Sequence, residues 1–322
     1  MIGAVAAVIV AVVALPHLLP QARLAPASGV ALWVSVLSLR ALLAVVLAMI
    51  VVLYLPATEL FGLVTQWCVH AVIPFIATHL GLSGHGLGDA ATLVPTLVVA
   101  ASALSAPFGI WRGARAVRHW LRKSSLGRGP RESVIVGGPE ILVAAAGLFG
   151  PRVVVSAGAL TQLDEAELAA GLEHEWGHVA RRHRFASLCA QLLFAVARPL
   201  PGSRRVLEQL HFHLERDADE YAVRRTGDRL ALASAICKAA GAERPGGTEP
   251  ALARLGGPGV GERVGILLSD AAIRGVLPTG VARGLTAIVT GLVLAIALSA
   301  PAVAQTGLAE LQQEQSSQAC QD

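Results

Sequence analysis

The sequence predicts a mainly α-helical protein in which multi-pass transmembrane helices carry a cytoplasmic α+β domain. Three observations lead there. Hydrophobic residues make up 54% of the 322 and charged residues only 15%, against roughly a quarter charged in a soluble domain, and mean hydropathy is +0.61. The apolar residues gather in runs long enough to cross a bilayer. Between the last two runs, over about 133–270, the composition becomes that of a soluble domain, and this stretch holds His174-Glu175-Trp176-Gly177-His178.

The membrane region, 1–111, is read as three spans with an extracytoplasmic loop over 57–89. Residues 2–19 are uncharged and mostly Ala, Val, Ile and Leu, a span at the short end of the range. A cleaved signal peptide would want a positive n-region, and none precedes Arg23. A second run covers 31–55 and is interrupted by Arg40, which is expected near a membrane face with its charged head snorkelling to the interface. Residues 61–82 are long enough to span, yet they carry Gln66, His70, Pro74 and His79 and read as an interfacial or re-entrant segment.

A third span, 90–111, ends on a basic cluster of Arg112, Arg115, Arg118, Arg122, Lys123, Arg128 and Arg131, whereas the loop before it contains no Lys or Arg. The positive-inside rule puts the cluster, in a linker over 112–132, in the cytoplasm and the loop outside. Contact with anionic lipid accounts for the cluster more simply than a nucleic-acid arm, so no direct nucleic-acid binding is expected. The last span is 284–304, with Arg274 and Arg283 before it and an extracytoplasmic tail, 305–322, free of basic residues. Cys68 and Cys320 then share the oxidising side. A disulfide between them is a hypothesis that non-reducing mass mapping disposes of if both thiols are free. Cys189 and Cys237 read as reduced, small core residues.

Within the soluble stretch, 133–136 and 152–156 look like short strands. One long helix is expected from about Asp164 to Ala190, with Thr161 or Asp164 as its cap, a second over 203–225 ending near Gly227, and a third over 229–242. Residues 243–260 are rich in Gly and Pro and read as a loop, and 254–268 as partly helical. On the first helix His174 and His178 stand four apart on one face, about a turn from each other, with Glu175 leaning to the same side. H-E-x-x-H at that spacing is the signature of a zinc metallopeptidase, in which the metal polarises a water and a carbonyl and the glutamate takes the water's proton. The charged residues flanking the motif, Glu173, Arg181, Arg182, His183 and Arg184, exclude an active site buried in lipid.

A catalytic zinc wants a third protein ligand. On a continuous helix His183, nine residues after His174, faces the opposite side, and Val179-Ala180-Arg181-Arg182 offers no glycine turn to bring it back. The better candidate is Glu215 in Glu215-Arg216-Asp217-Ala218-Asp219-Glu220; Asp219 shares its face and suits a hydrogen bond to the free nitrogen of a ligating histidine. His211 lies on the same stripe, and helix phase alone does not choose between it and Glu215.

His174-Glu175-x-x-His178, followed by Arg198-Pro199-Leu200 and by Glu215-x-x-Ala218-Asp219, resembles the gluzincin pattern of the BlaR/MecR-type membrane metallopeptidases and of the related HtpX-type peptidases. The order of three spans, a cytoplasmic zinc domain and one last span favours the first group. The resemblance implies one Zn2+ per chain held by His174, His178 and Glu215, with Glu175 as general base and Asp219 behind a ligand. It implies a membrane-bound zinc endopeptidase cutting peptide bonds at a cytoplasmic active site in regulatory or signal-transducing proteolysis. The alternatives are an HtpX-like quality-control protease and a signalling or scaffold protein with a non-hydrolytic zinc fold. The expected partners are the bilayer and a protein or peptide substrate, either a transcriptional repressor or a membrane protein. A substrate segment is expected to pair with the strand near Val153–Val155, and His211, His213, Tyr221 and Arg224 are oxyanion candidates by proximity. BlaR/MecR receptors carry an external penicillin-binding sensor after the last span, where here only 305–322 remain, so a β-lactam-sensing role is unsupported.

Overall fold

The computed structural model describes residues 24–54, 108–109, 111–148, 150–241 and 259–269, with single positions between 280 and 291. The span expected at 2–19, most of 284–304, the segment 61–82, nearly all of 90–111 and the Cys68–Cys320 pair lie outside the described residues. The chain forms two compact units, Met1–Ala44 with Ala116–Leu298, and Val45–Arg115 with Ser299–Asp322.

Helix α1, Pro26–Tyr54, begins on a proline, whose missing N–H costs nothing in a first turn. Its stretch Pro26–Leu47 is long and apolar enough to cross a membrane. Arg40 does not snorkel to a surface. It is wholly buried, with Nε donating to Ser203 Oγ at 3.0 Å and Nη2 donating to the carbonyls of Leu200, at 3.4 Å, and Pro201. The turn it serves has carbonyls with no helical partner, and a guanidinium brings five donors to them. That demand overrides the expected snorkelling. Nearer its start, α1 meets the C-terminal helices again: Arg216 Nη1 donates to the Leu24 carbonyl at 2.9 Å, and a Cβ at Gly29 would overlap the His213 ring.

A helix over 111–124, α2, carries part of the basic cluster on its exposed side. Its apolar residues Val117, Trp120 and Leu121 pack on the sheet that follows. That sheet has four strands, β1 Ser125–Arg128, β2 Val134–Val136, β3 Val143–Ala146 and β4 Arg152–Ser156, in the order β1-β2-β4-β3. β4 runs parallel to β2 (Val134↔Val154) and antiparallel to β3 (Val143↔Val155). Val153, Val154 and Val155 are all fully buried, because Val153 and Val155 face the helices and Val154 faces α2; a strand covered on both sides reads as a continuous apolar run. Since β4 is hydrogen-bonded on both flanks, the expected pairing of a substrate with Val153–Val155 is ruled out. The open edge beside the helices belongs to β3.

Ser156 joins the sheet to α3, Ala157–Gln162: its Oγ accepts from the N–H of Leu142 and of Ala159, both at 3.0 Å, and donates to the Glu140 carbonyl. The motif helix α4, Glu165–Ala180, starts on a full capping box between Asp164 and Glu167, which satisfies two orphan donors at once. Lys238 Nζ, 2.6 Å from Glu167, ties this end to the helix over Arg229–Gly241.

α4 does not continue to Ala190. It stops at Ala180, Arg182 takes a left-handed conformation (φ 56°), and α5 runs from His183 to Ala197. The reversal is made without glycine, by a residue type for which positive φ is uncommon. Helix α6, Ser203–Thr226, ends as expected on a glycine, Gly227 (φ 74°). α7, Arg229–Gly241, and α8, Val260–Leu268, complete the described elements. α4 and α6 cross closely at Gly177, where a Cβ would sit 3.2 Å from Ala218 Cα and Tyr221 Cβ. Cys189 and Cys237, expected in the core, are exposed free thiols on α5 and α7.

Candidate metal centre

α4 and α6 bring three donors together. Ligand atoms of His174, His178 and Glu215 lie within 4.8 Å of one another, and among the described residues this is the group with metal-binding geometry. His211, the other candidate on that stripe, is not in it. The Nε2 atoms of His174 and His178 are 3.2 Å apart. Glu215 straddles the pair, with Oε2 3.5 Å from His174 Nε2 and Oε1 3.5 Å from His178 Nε2. Zinc bonds of about 2.0–2.1 Å at tetrahedral angles give ligand–ligand edges of about 3.3–3.4 Å, so two imidazoles and a carboxylate at these separations fit that ion. Glu175, wholly buried, accepts the Ala145 N–H from β3 at its Oε2, 2.7 Å. Its Oε1 is buried with no hydrogen-bond partner among the described residues.

Asp219 reaches the place expected of it, with Oδ1 2.9 Å from His174 Nδ1. Three further residues were not foreseen. Arg263 of α8 is wholly buried and grips Asp219 in a fork, Nε to Oδ2 at 2.8 Å and Nη2 to Oδ1 at 2.7 Å, with Nη1 2.9 Å from Glu215 Oε2. The available signal was an arginine on the stripe that Val260, Val264 and Leu267 turn to the core. His183 is not in the metal group, but the turn at Arg181–Arg182 returns it to α4. Its Nδ1 is 3.0 Å from His178 Nδ1 and its Nε2 is 3.0 Å from Asp217 Oδ2. Asp217 also accepts from Arg181 Nη1 at 2.6 Å. The assumption of an unbroken helix hid this arrangement.

The protonation pattern follows from burial and charge. Burial pushes the Glu175 carboxyl up to about 8, with Glu215 adding to the rise and His174 opposing it. Burial opposes a charge on His174 too, but Asp219 and Glu215 overcome it and raise this ring to about 9. Burial lowers His178 to about 3, against the pull of Glu215; two rings this close do not both hold a proton between their Nε2 atoms. Burial would raise Glu215 and Asp219, yet the histidines and Arg263 hold both carboxyls well below the usual range.

The oxyanion candidates separate. His213 is buried beneath Gly29. Tyr221 packs against Gly177 and lies under the Arg225 guanidinium. Arg224 pairs with Glu220 at 2.6 Å. His211 is partly buried, which lowers its pKa, and Glu215 acts on it in the opposite sense.

Residues 115–209 match the family model described as Peptidase family M48. The match takes in the sheet, α4 with its H-E-x-x-H, and α5, and it ends before Glu215, so it makes this part of the chain similar to metallopeptidases of that family. No match is found among curated proteins or among solved structures.

Proposed function

We propose that this chain is a zinc-dependent endopeptidase anchored in a membrane, with His174, His178 and Glu215 as the metal ligands and Glu175 as the general base. The observation that carries the reading is the donor triangle with zinc-like edges beside a buried glutamate oxygen that has no hydrogen-bond partner among the described residues. Zinc held there supplies Lewis-acid polarisation of a water and of a peptide carbonyl.

The remaining chemistry belongs to the chain. The Ala145 N–H pins Glu175 through Oε2 and leaves Oε1 to take the water's proton and pass it to the leaving amide nitrogen. Because the Ala145 N–H points away from β4, the polar backbone atoms of Val143 and Ala145 face outward on the β3 edge. An extended substrate segment adds there as a fifth strand, beside Glu175. His211 is the side chain we assign to the developing oxyanion. Asp219 holds His174 with its Nε2 lone pair toward the metal. The basic helix α2 faces the cytoplasmic leaflet, as the charge asymmetry of the sequence requires, and the substrates are membrane or membrane-delivered regulatory proteins.

The test is purification of the whole chain in detergent, with bound zinc measured and self-cleavage compared with Glu175→Gln. About one zinc per chain is expected in both forms, with proteolysis only in the unsubstituted one. Equal cleavage by the two would refute the assigned base and favour a non-hydrolytic zinc fold.

A further inference from the structure

The ligand pair His174 and His178 is supported asymmetrically. His174 meets a carboxylate directly, through Asp219. Among the described residues His178 Nδ1 meets no carboxylate; it meets another imidazole, His183, and the carboxylate comes one ring later. His183 and Asp217 are both buried, so these contacts stand in place of water.

The order of protons along this chain of contacts is determined by its far end. Asp217 Oδ1 accepts from Arg181 and Oδ2 faces His183 Nε2. An ionised carboxylate only accepts, so His183 Nε2 carries the hydrogen. A neutral imidazole has one N–H, which leaves His183 Nδ1 an acceptor. The nitrogen it faces at 3.0 Å, His178 Nδ1, must then be the donor. With its hydrogen on Nδ1, His178 presents a bare Nε2 toward His174 and Glu215.

We propose that His183 and Asp217 are positioning residues that set the His178 tautomer, so that the Arg181–Asp217–His183 relay keeps the His178 Nε2 lone pair available to the metal. The proposal rests on the zinc-site reading given above. It assigns a role to the left-handed turn at Arg182, which delivers His183 to His178. It also explains the spacing of the two acids on α6: Asp217 and Asp219 flank Ala218, Asp219 contacting His174 directly and Asp217 reaching His178 through His183.

The test uses the full chain in detergent, stripped of metal by chelation, with zinc affinity read by competition against a chromogenic chelator. Asp217→Asn keeps the shape. Arg181 continues to occupy Oδ1, so the new NH2 points at His183 Nε2 and forces it to accept. The protons downstream then reverse, and His178 carries its hydrogen on Nε2. Zinc affinity is expected to fall about 10- to 100-fold. His183→Leu, which removes the acceptor, is expected to fall by a similar factor, whereas His183→Asn, whose amide oxygen takes the place of Nδ1, stays within about threefold of the unsubstituted chain. The visible spectrum of the cobalt(II)-loaded protein should follow the same order. Packing alone predicts another pattern, with the isosteric Asp217→Asn harmless and His183→Asn as damaging as His183→Leu; that result overturns the proposal. Should His183→Leu fail to fold, Asp217→Asn against His183→Asn still decides. Glu215→Ala separates the two levels. If it too leaves zinc affinity unchanged, the metal-site reading falls and the relay with it; if it abolishes binding while Asp217→Asn does not weaken it, the relay alone falls.

Discussion

Replacing Arg263 by methionine should destabilise the metal-free protein more than any other single change near the site. Arg263 is wholly buried and makes two hydrogen bonds to Asp219, at 2.7 and 2.8 Å, and a contact of 2.9 Å to Glu215. Methionine fills much of the volume but leaves two interior carboxylates, Asp219 and Glu215, without the guanidinium they contact. Removing one partner of a buried ion pair costs about 3–5 kcal/mol, and for a folded unit of this size each kcal/mol moves the unfolding midpoint by about 2–4 °C, so a drop of roughly 6–20 °C is expected. Arg263→Lys, which keeps a charge but loses the fork, should fall between. Circular dichroism of the chelated full-length protein in detergent gives the midpoints. Added zinc should narrow the gap, since a cation beside Glu215 restores part of the missing positive charge. A midpoint shift under about 2 °C for Arg263→Met, without zinc, would refute the argument that this guanidinium neutralises the acids behind the site.

Other outcomes follow from the same geometry. His174 is raised to about 9 and Glu175 to about 8, so between pH 6.5 and those values the folded metal-free chain holds protons that the unfolded chain has released. The His174 contribution is therefore full below about pH 6.5 and declines as pH rises to about 9, while that of Glu175 is full below about pH 4.5 and declines to about pH 8, a slope that chemical denaturation at several pH values measures. Zinc binding near pH 7 should accordingly release protons, and titration calorimetry in buffers of different ionisation enthalpy should find that release gone above about pH 9. Ala145→Pro removes the N–H that holds Glu175; cleavage should fall at least about tenfold with zinc content unchanged, and undiminished cleavage would argue against β3 as the positioning strand. Arg40→Leu strips the donors from the Leu200–Ser203 turn and should cost about 1–3 kcal/mol, whereas an arginine at a lipid interface would tolerate the change.

The site was legible in the sequence wherever it lay on one helix or on a repeated helical spacing. His174, Glu175 and His178 follow from the four-residue period, and Glu215 and Asp219 from the same period on α6. The ends of α6 and α7 were announced by Gly227 and by the Gly/Pro-rich stretch that follows. What stayed hidden depended on contacts between distant segments. β3 is Val-Ala-Ala-Ala, poor in the β-branched and aromatic residues that mark strands, and β1 is a fully exposed Ser-Leu-Gly-Arg; both exist because β2 and β4 offer them a partner. Arg40 looked like a charge at a membrane face because its acceptors are 160 or more residues away. The break after Ala180 carries no glycine or proline, and missing it misdirected the reading of His183.

The closeness of α4 and α6 gives Gly177 a consequence of its own. As a search pattern, H-E-x-x-H has two wildcards, but in this fold the second is not interchangeable. A methyl group at 177 would press on Ala218 Cα, midway between the acids that serve the two histidines and three residues beyond Glu215. An alanine there asks the neighbouring rod, which carries the ligating carboxylate, to give by a few tenths of an ångström. The smallest side chain in the motif thus sets how tightly the pocket closes.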